Sequence, residues 1–167
     1  MHGLSESLDL ILVKCNALFS VLGDKVSFQG SPAYEESLAT YFTLQASVVQ
    51  PRCIVFPHTA DDVSVAISLL RTSTADNQEG QNGCQFAVRS GGHGTSPGSS
   101  NIQDGVTIDL RQLNTIELSE DHSAVSIGTG ATWDEGTYLR SLGSRLILVR
   151  GRTPLSGNNE IGFASEA

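Results

Sequence analysis

The sequence predicts an α+β fold. Three observations carry that expectation: an amphipathic helical pattern at the N-terminus, one strand–helix–strand unit after it, and then a change of hydrophobic period to two. Leu4, Leu8, Ile11, Leu12, Cys15, Leu18, Phe19 and Leu22 recur along one helical face, and Gly23-Asp24 marks a stop. A polar, extended arm containing Pro32 follows. Residues 34–45 carry a milder helical pattern, with Leu38, Tyr41, Phe42 and Gln45 as contact points, and Pro51 ends it.

Cys53-Ile54-Val55-Phe56 reads as a short buried strand stopped by Pro57. Thr59 then offers an N-cap, and Asp61 and Asp62 suit the positive end of a helix. Val63, Ala66, Ile67 and Leu70 line one face of that helix and Arg71 closes it. Residues 73–83 are polar and read as a surface loop. Phe86-Ala87-Val88 is the next strand, and a strand–helix–strand run predicts parallel pairing, which needs such a crossover. Beyond it Val106, Ile108 and Leu110 alternate with Thr107 and Asp109, Ile116 and Leu118 with Glu117, and Val125 and Ile127 with Ser126. That period predicts an antiparallel meander, broken by Asn114 and by Glu120-Asp121-His122. Gly128-Thr129-Gly130 ends it, Thr132 caps a helix through Leu142 in which Trp133 and Tyr138 pack, and residues 146–149 form a last strand.

A chain of 167 residues with 39% hydrophobic content has room for one real core. The net charge of −8, with ten scattered Lys and Arg, argues against nucleic acid as a partner. No apolar run is long enough for a membrane span. Glu6 and Asp9 precede Leu10-Ile11-Leu12-Val13 and Lys14 ends it, a pattern of helix and not of signal peptide. Cys15, Cys53 and Cys84 make no CxxC, and His2, His58 and His122 have no metal-ligand spacing, so no metal site is expected. Walker, Rossmann and nucleophile-elbow motifs are absent.

The chemistry concentrates between two strands, in residues 88–101. Gly91, Gly92 and Gly94 allow successive N–H groups to turn toward one point, a concavity suited to phosphate oxygens. Ser99, Ser100 and Asn101 offer side-chain hydrogen bonds, or belong to a plain solvent loop. Arg89 has two readings, a bridge to a carboxylate on a neighbouring strand or charge support near the phosphates. His93 is either a structural or merely exposed histidine, or is placed for chemistry on what the phosphates carry.

Arg89-Ser90-Gly91-Gly92-His93 resembles the flavin-attachment loop of FAD-linked oxidases of the berberine-bridge type, within the vanillyl-alcohol-oxidase superfamily. Residues 25–34 resemble the arm that opens that family's domain. Gln50-Pro51-Arg52-Cys53-Ile54-Val55 followed by Thr59-Ala60-Asp61-Asp62-Val63 resembles its first strand and helix. The resemblance implies a PCMH-type FAD-binding domain over residues 47–167, preceded by a helical segment and arm over 1–46. It implies FAD held by Arg89, Ser90, Gly91, Gly92, His93, Gly94, Thr95, Ser99 and Asn101, bonded covalently through His93 to the flavin 8α-methyl group. It further implies a Cys15–Cys53 disulfide, where the residues alone leave two buried free thiols equally open, and it leaves Cys84 unpaired. Substrates of the family are alcohols, sugars or secondary metabolites, so the expected partners are FAD and a small molecule. Members are often secreted, and without a signal pattern the compartment stays open.

The resemblance also departs. Arg150 replaces a glycine, and after Thr153 only Gly157 and Gly162 stand where several glycines belong. The family's substrate domain, its catalytic tyrosine and a second attachment cysteine have no counterpart in these residues. The expectation is a truncated FAD-linked oxidoreductase with no catalytic residue of its own assigned. The alternative is a non-catalytic FAD- or nucleotide-phosphate-binding module, or a decayed inactive fragment.

Overall fold

A computed structural model describes residues 3–71, 84–120, 125–132, 147–150 and 161–164. The N-terminal pattern forms helix α1 (Gly3–Leu22), which buries Ile11, Cys15, Leu18 and Leu22. Leu12 and Phe19, expected on the same face, lie on its flank and stay half exposed. A 3-10 turn (Gly23–Lys25) leads into β1 (Val26–Phe28). Helices α2 (Pro32–Ala39) and α3 (Leu44–Ser47), strand β2 (Cys53–Val55) and helix α4 (Ala60–Arg71) follow. Strands β3 (Phe86–Arg89) and β4 (Val106–Asp109) complete a four-stranded sheet in the order β1-β2-β4-β3.

In that sheet β2, β4 and β3 run parallel and β1 is antiparallel to β2. The strands flanking α4 are thus parallel as expected, but β4 inserts between them. The pleat sends Val26, Cys53, Val55, Val106 and Ile108 to one face, against α1 and α4. Ile54 points to the other, against Tyr34, Leu38, Tyr41 and Ala46 of the α2–α3 region. Helices on both faces explain why all four residues of β4, Thr107 and Asp109 included, are 0% exposed. Cys15 of α1 and Cys53 of β2 are joined by a disulfide with Cα atoms 6.0 Å apart. Cys84 is a buried free thiol, and burial raises its pKa.

The helical pattern over 34–45 breaks in two. In a continuous helix the Phe42 N–H would donate to Leu38, but it donates instead to the Gly92 carbonyl at 3.2 Å. Thr43 is extended, and α3 restarts after it, leaving Gln45 exposed and Ala46 buried. At α4 a reciprocal cap forms: the Asp62 N–H donates to Thr59 Oγ1 at 3.2 Å, and Asp62 Oδ2 accepts from the Thr59 N–H at 3.0 Å and the His58 N–H at 2.9 Å.

The expected three-strand meander is reduced to a hairpin, because β4 joins the parallel sheet. Strands β5 (Ile116–Leu118) and β6 (Val125–Ile127) pair antiparallel. The pairing runs on through the Gly128 N–H to Thr115 and the Gly130 N–H to Leu113, 2.7 and 2.9 Å long. Strand β7 (Ile147–Arg150), expected one residue earlier, pairs antiparallel with β8 (Ile161–Ala164), which the sequence did not suggest. The linker at 73–83, Asp121 and His122, and the helix expected after Thr132 with Trp133 and Tyr138 lie outside the described residues.

Candidate functional site

The glycine loop leaves the carboxyl end of β3, where open parallel sheets place their ligands. Its backbone is anchored on both flanks. The Ser90 hydroxyl donates to the Thr129 carbonyl at 2.5 Å. Gly92 adopts the left-handed region at φ +71°, and its carbonyl accepts the Phe42 N–H. Farther along, the Tyr41 hydroxyl donates to the Ser100 carbonyl at 2.8 Å, and the Ser99 hydroxyl to Ser96 at 2.8 Å. Between the anchors, no hydrogen bond among the described residues takes the N–H groups of Gly91, Gly92, His93, Gly94 or Thr95. Five consecutive amides are left as donors on a loop whose residues from His93 to Thr95 are exposed.

Beneath the loop lies a buried ionic cluster. Arg89 is 0% exposed: Nη1 donates to the Ser37 carbonyl at 2.6 Å and stands 3.5 Å from Asp109 Oδ2, while Nη2 donates to Thr40 Oγ1 at 3.0 Å. Its guanidinium rests 3.7 Å from the centre of the Tyr41 ring. Asp109 also accepts from the Ser37 hydroxyl at 2.7 Å and from Arg111 Nη2 at 2.8 Å, so one carboxylate serves two guanidinium groups. Burial lowers the pKa of Arg89 and the Asp109 charge opposes that shift. Burial likewise pushes the Tyr41 phenol up to about 12.

Two residues of the expected cofactor set lie buried beneath the loop. Arg89 makes the bridge to a carboxylate on the neighbouring strand, and with no exposed surface it underpins the loop. Of the three guanidinium nitrogens of Arg89, Nε alone has no hydrogen-bond partner among the described residues, and a Cβ on Gly92 would come within 2.7 Å of it. Asn101 is also 0% exposed. Its Nδ2 donates to Ala46 and Val49 at 3.0 and 2.8 Å, and its Oδ1 accepts from the Ile102 N–H and the Thr107 hydroxyl at 3.0 and 2.8 Å. All its hydrogen-bonding capacity is spent on holding the loop's exit to the sheet and to α3. Ser90, His93, Gly94, Thr95 and Ser99 are exposed, Gly91 is half-buried, and Gly92 is buried over Arg89.

The His93 imidazole stacks on the Phe42 ring, with centroids 3.8 Å apart and planes 15° from parallel. Sequence reasoning named Phe42 and Tyr41 only as contact points and Asp109 only as an alternating strand residue, and it did not single out Ser37. Separations of about fifty residues or more carry no signal in a local pattern, except that buried Asp109 stood in an alternating strand.

A helix-flanked mixed sheet with this loop at its carboxyl edge is a PCMH-type FAD-binding domain. The family model described as an FAD binding domain matches residues 51–139, and the chain belongs to that family, whose cofactor is FAD. The FAD-dependent monooxygenase sdcF of Emericella nidulans is 41% identical over 143 residues, covering 86% of this chain and 28% of that protein. The FAD-dependent monooxygenase yanF of Aspergillus niger is 34% identical over 153 residues, covering 91% of this chain and 24% of that protein. The chain spans about a quarter of the length of these two curated relatives. Among solved structures, BBE-like #28 from Arabidopsis thaliana shares the fold at a TM-score of 0.65 and 23% identity, over 83% of this chain and 27% of that one. Glucooligosaccharide oxidase from Acremonium strictum, described with a 6-S-cysteinyl, 8α-N1-histidyl FAD, does so at a TM-score of 0.63 and 19% identity, over 84% and 27%.

Proposed function

We propose that residues 47–167 form the FAD-holding part of an FAD-linked oxidoreductase of secondary metabolism that acts on a small organic molecule. In this reading the pyrophosphate lies on the amides of Gly91 to Thr95 and His93 bonds covalently to the flavin 8α-methyl group. The carrying observation is the run of five free amides beside an exposed histidine. When bound, FAD supplies two-electron chemistry on substrate carbon. The chain's own part is to bind and orient it. Backbone donors hold the phosphates, the exposed Thr95 hydroxyl supplements them, the Ser90 and Ser99 hydroxyls hold the loop in shape through Thr129 and Ser96, and the buried Arg89 keeps positive charge underneath. The monooxygenase names of the fungal relatives and the histidyl flavin named for the oligosaccharide oxidase support this reading.

The test is direct. The 167-residue chain supplied with FAD is expected to keep a yellow chromophore through acid precipitation. Trypsin cuts after Arg89 and Arg111, so His93 is the sole histidine of the expected flavin peptide. Flavin on any other peptide, or linkage persisting in His93→Ala, overturns the assignment. Folded protein that binds FAD only reversibly retains the amide part of the reading and removes the covalent part. Folded protein that stays colourless favours a module that keeps the loop without flavin.

A further inference from the structure

We propose that Phe42 is a positioning residue for the attachment of flavin to His93, acting as a flat backing that sets the plane of the imidazole. This rests on the reading of His93 given above. Three observations converge on Phe42. Its ring is stacked on the imidazole at 3.8 Å and 15°. Its N–H is bonded to the carbonyl of Gly92, the residue before His93. It is also 61% exposed, so it contributes little to any core and its burial does not explain its place.

The chemistry needs such a device. The reactive lone pair of an imidazole nitrogen lies in the ring plane, so a partner on the ring face immobilises the ring without covering the nitrogen. An exposed histidine without that partner samples several rotamers, and only some present a nitrogen to a fixed carbon. In the reaction a bond forms between one imidazole nitrogen and the 8α carbon. The imidazole N–H proton and one methyl hydrogen are given up, two electrons and two protons enter the flavin ring, and dioxygen removes both as hydrogen peroxide when the ring is reoxidised. Phe42 takes no part in the bond changes.

Phe42→Leu and Phe42→Tyr separate the roles, since both keep the backbone bond to Gly92 and only tyrosine keeps a stacking ring. The first measurement is the proton NMR spectrum of the flavin-free chain. The His93 ring protons are expected upfield through the Phe42 ring current in wild type and Phe42→Tyr, and to return in Phe42→Leu. The second is the rate at which FAD becomes acid-stable on the chain under air. It is expected to fall about tenfold in Phe42→Leu, the size of a lost aromatic stack. The expected rate in Phe42→Tyr stays near wild type, and the affinity for reversibly bound FAD is unchanged in both. Equal attachment rates in wild type and Phe42→Leu overturn the positioning role and leave His93 as the attachment site. A missing ring-current shift overturns it as well. Absence of acid-stable flavin in wild type and Phe42→Tyr alike, with the shift present, refutes the His93 reading itself, and the role of Phe42 falls with it.

Discussion

Gly92 meets two separate demands, a left-handed backbone at φ +71° and the absence of any atom above the Arg89 guanidinium. A phosphate-binding role is therefore not needed to explain this glycine, whereas the free amides beside it are not required by packing. For Gly92→Ala the backbone alone costs about 1–2 kcal/mol, and displacement of the buried arginine adds to it. Chemical denaturation is expected to show the loss in flavin-free protein; a change confined to flavin binding would show that Arg89 yields freely. Tyr41 makes a second test. Its phenol donates to Ser100 and its pKa stands at about 12 against 10.0 in the unfolded chain. Because the folded value is raised, the stabilisation is fully present below pH 10 and lost as pH rises through about 12. Tyr41→Phe is expected to cost about 1 kcal/mol at neutral pH, the worth of a hydrogen bond. Paired denaturation curves for the two proteins should converge between pH 10 and 12, and parallel curves would show that the phenol does not carry this term.

Helix α4 begins on a cap that shares its carboxylate with Lys25, whose Nζ lies 2.7 Å from Asp62. The Lys25 bond, first, and then the amides of His58 and Thr59 pull Asp62 down to about 2. A depressed carboxylate stabilises the fold above its unfolded pKa, near 3.8, and the contribution disappears as pH falls through about 2. Replacing Asp62 with Ala is expected to cost about 1 kcal/mol at pH 7 and to flatten the pH dependence of stability between pH 4 and 2. Thermal melts across that window would detect it. The hairpin carries a different constraint. A Cβ on Gly130 would overlap the Leu110 carbonyl, and one on Gly128 the Leu113 carbonyl. Gly130→Ala therefore has to push two backbones apart, at about 1–3 kcal/mol or more. Since Thr129 between them accepts the Ser90 hydroxyl, and Gly92 two residues on accepts the Phe42 N–H, loss of amide protection should spread from the hairpin to Phe42. Exchange confined to the hairpin would show that the two segments are independent.

For the molecule as a whole, the Cys15–Cys53 disulfide ties α1 to the middle of the sheet across a sequence separation of 38. Closing a loop of that length typically contributes about 3–4 kcal/mol by restricting the unfolded chain. Cys15→Ser is expected to lower the denaturation midpoint accordingly, and an unchanged midpoint would mean that packing of Ile11, Leu18 and Leu22 suffices to dock the helix. The same docking buries Lys14, whose Nζ donates to the Leu69 carbonyl of α4 at 2.7 Å, so loosening α1 should reach α4 as well.

Local physics made much of this legible. The amphipathic repeat of α1, the Thr59 cap, the apolar runs of β2, β3 and β4 and the glycine loop with His93 can all be read within a dozen residues, because side-chain period, capping and turn chemistry act over that range. What lay beyond that reading was adjacency. A period-two pattern is the same for a strand with a solvated face and for one whose polar residues are buried under helices, so β4 was expected in a meander. The fold instead places it at the centre of the parallel sheet, with Ser37 and two arginines on its carboxylate. The same holds for the break at Phe42 and for the inward turn of Arg89 and Asn101. Each is settled by a hydrogen bond to a residue some fifty positions away, an interaction that exists only once the chain has closed.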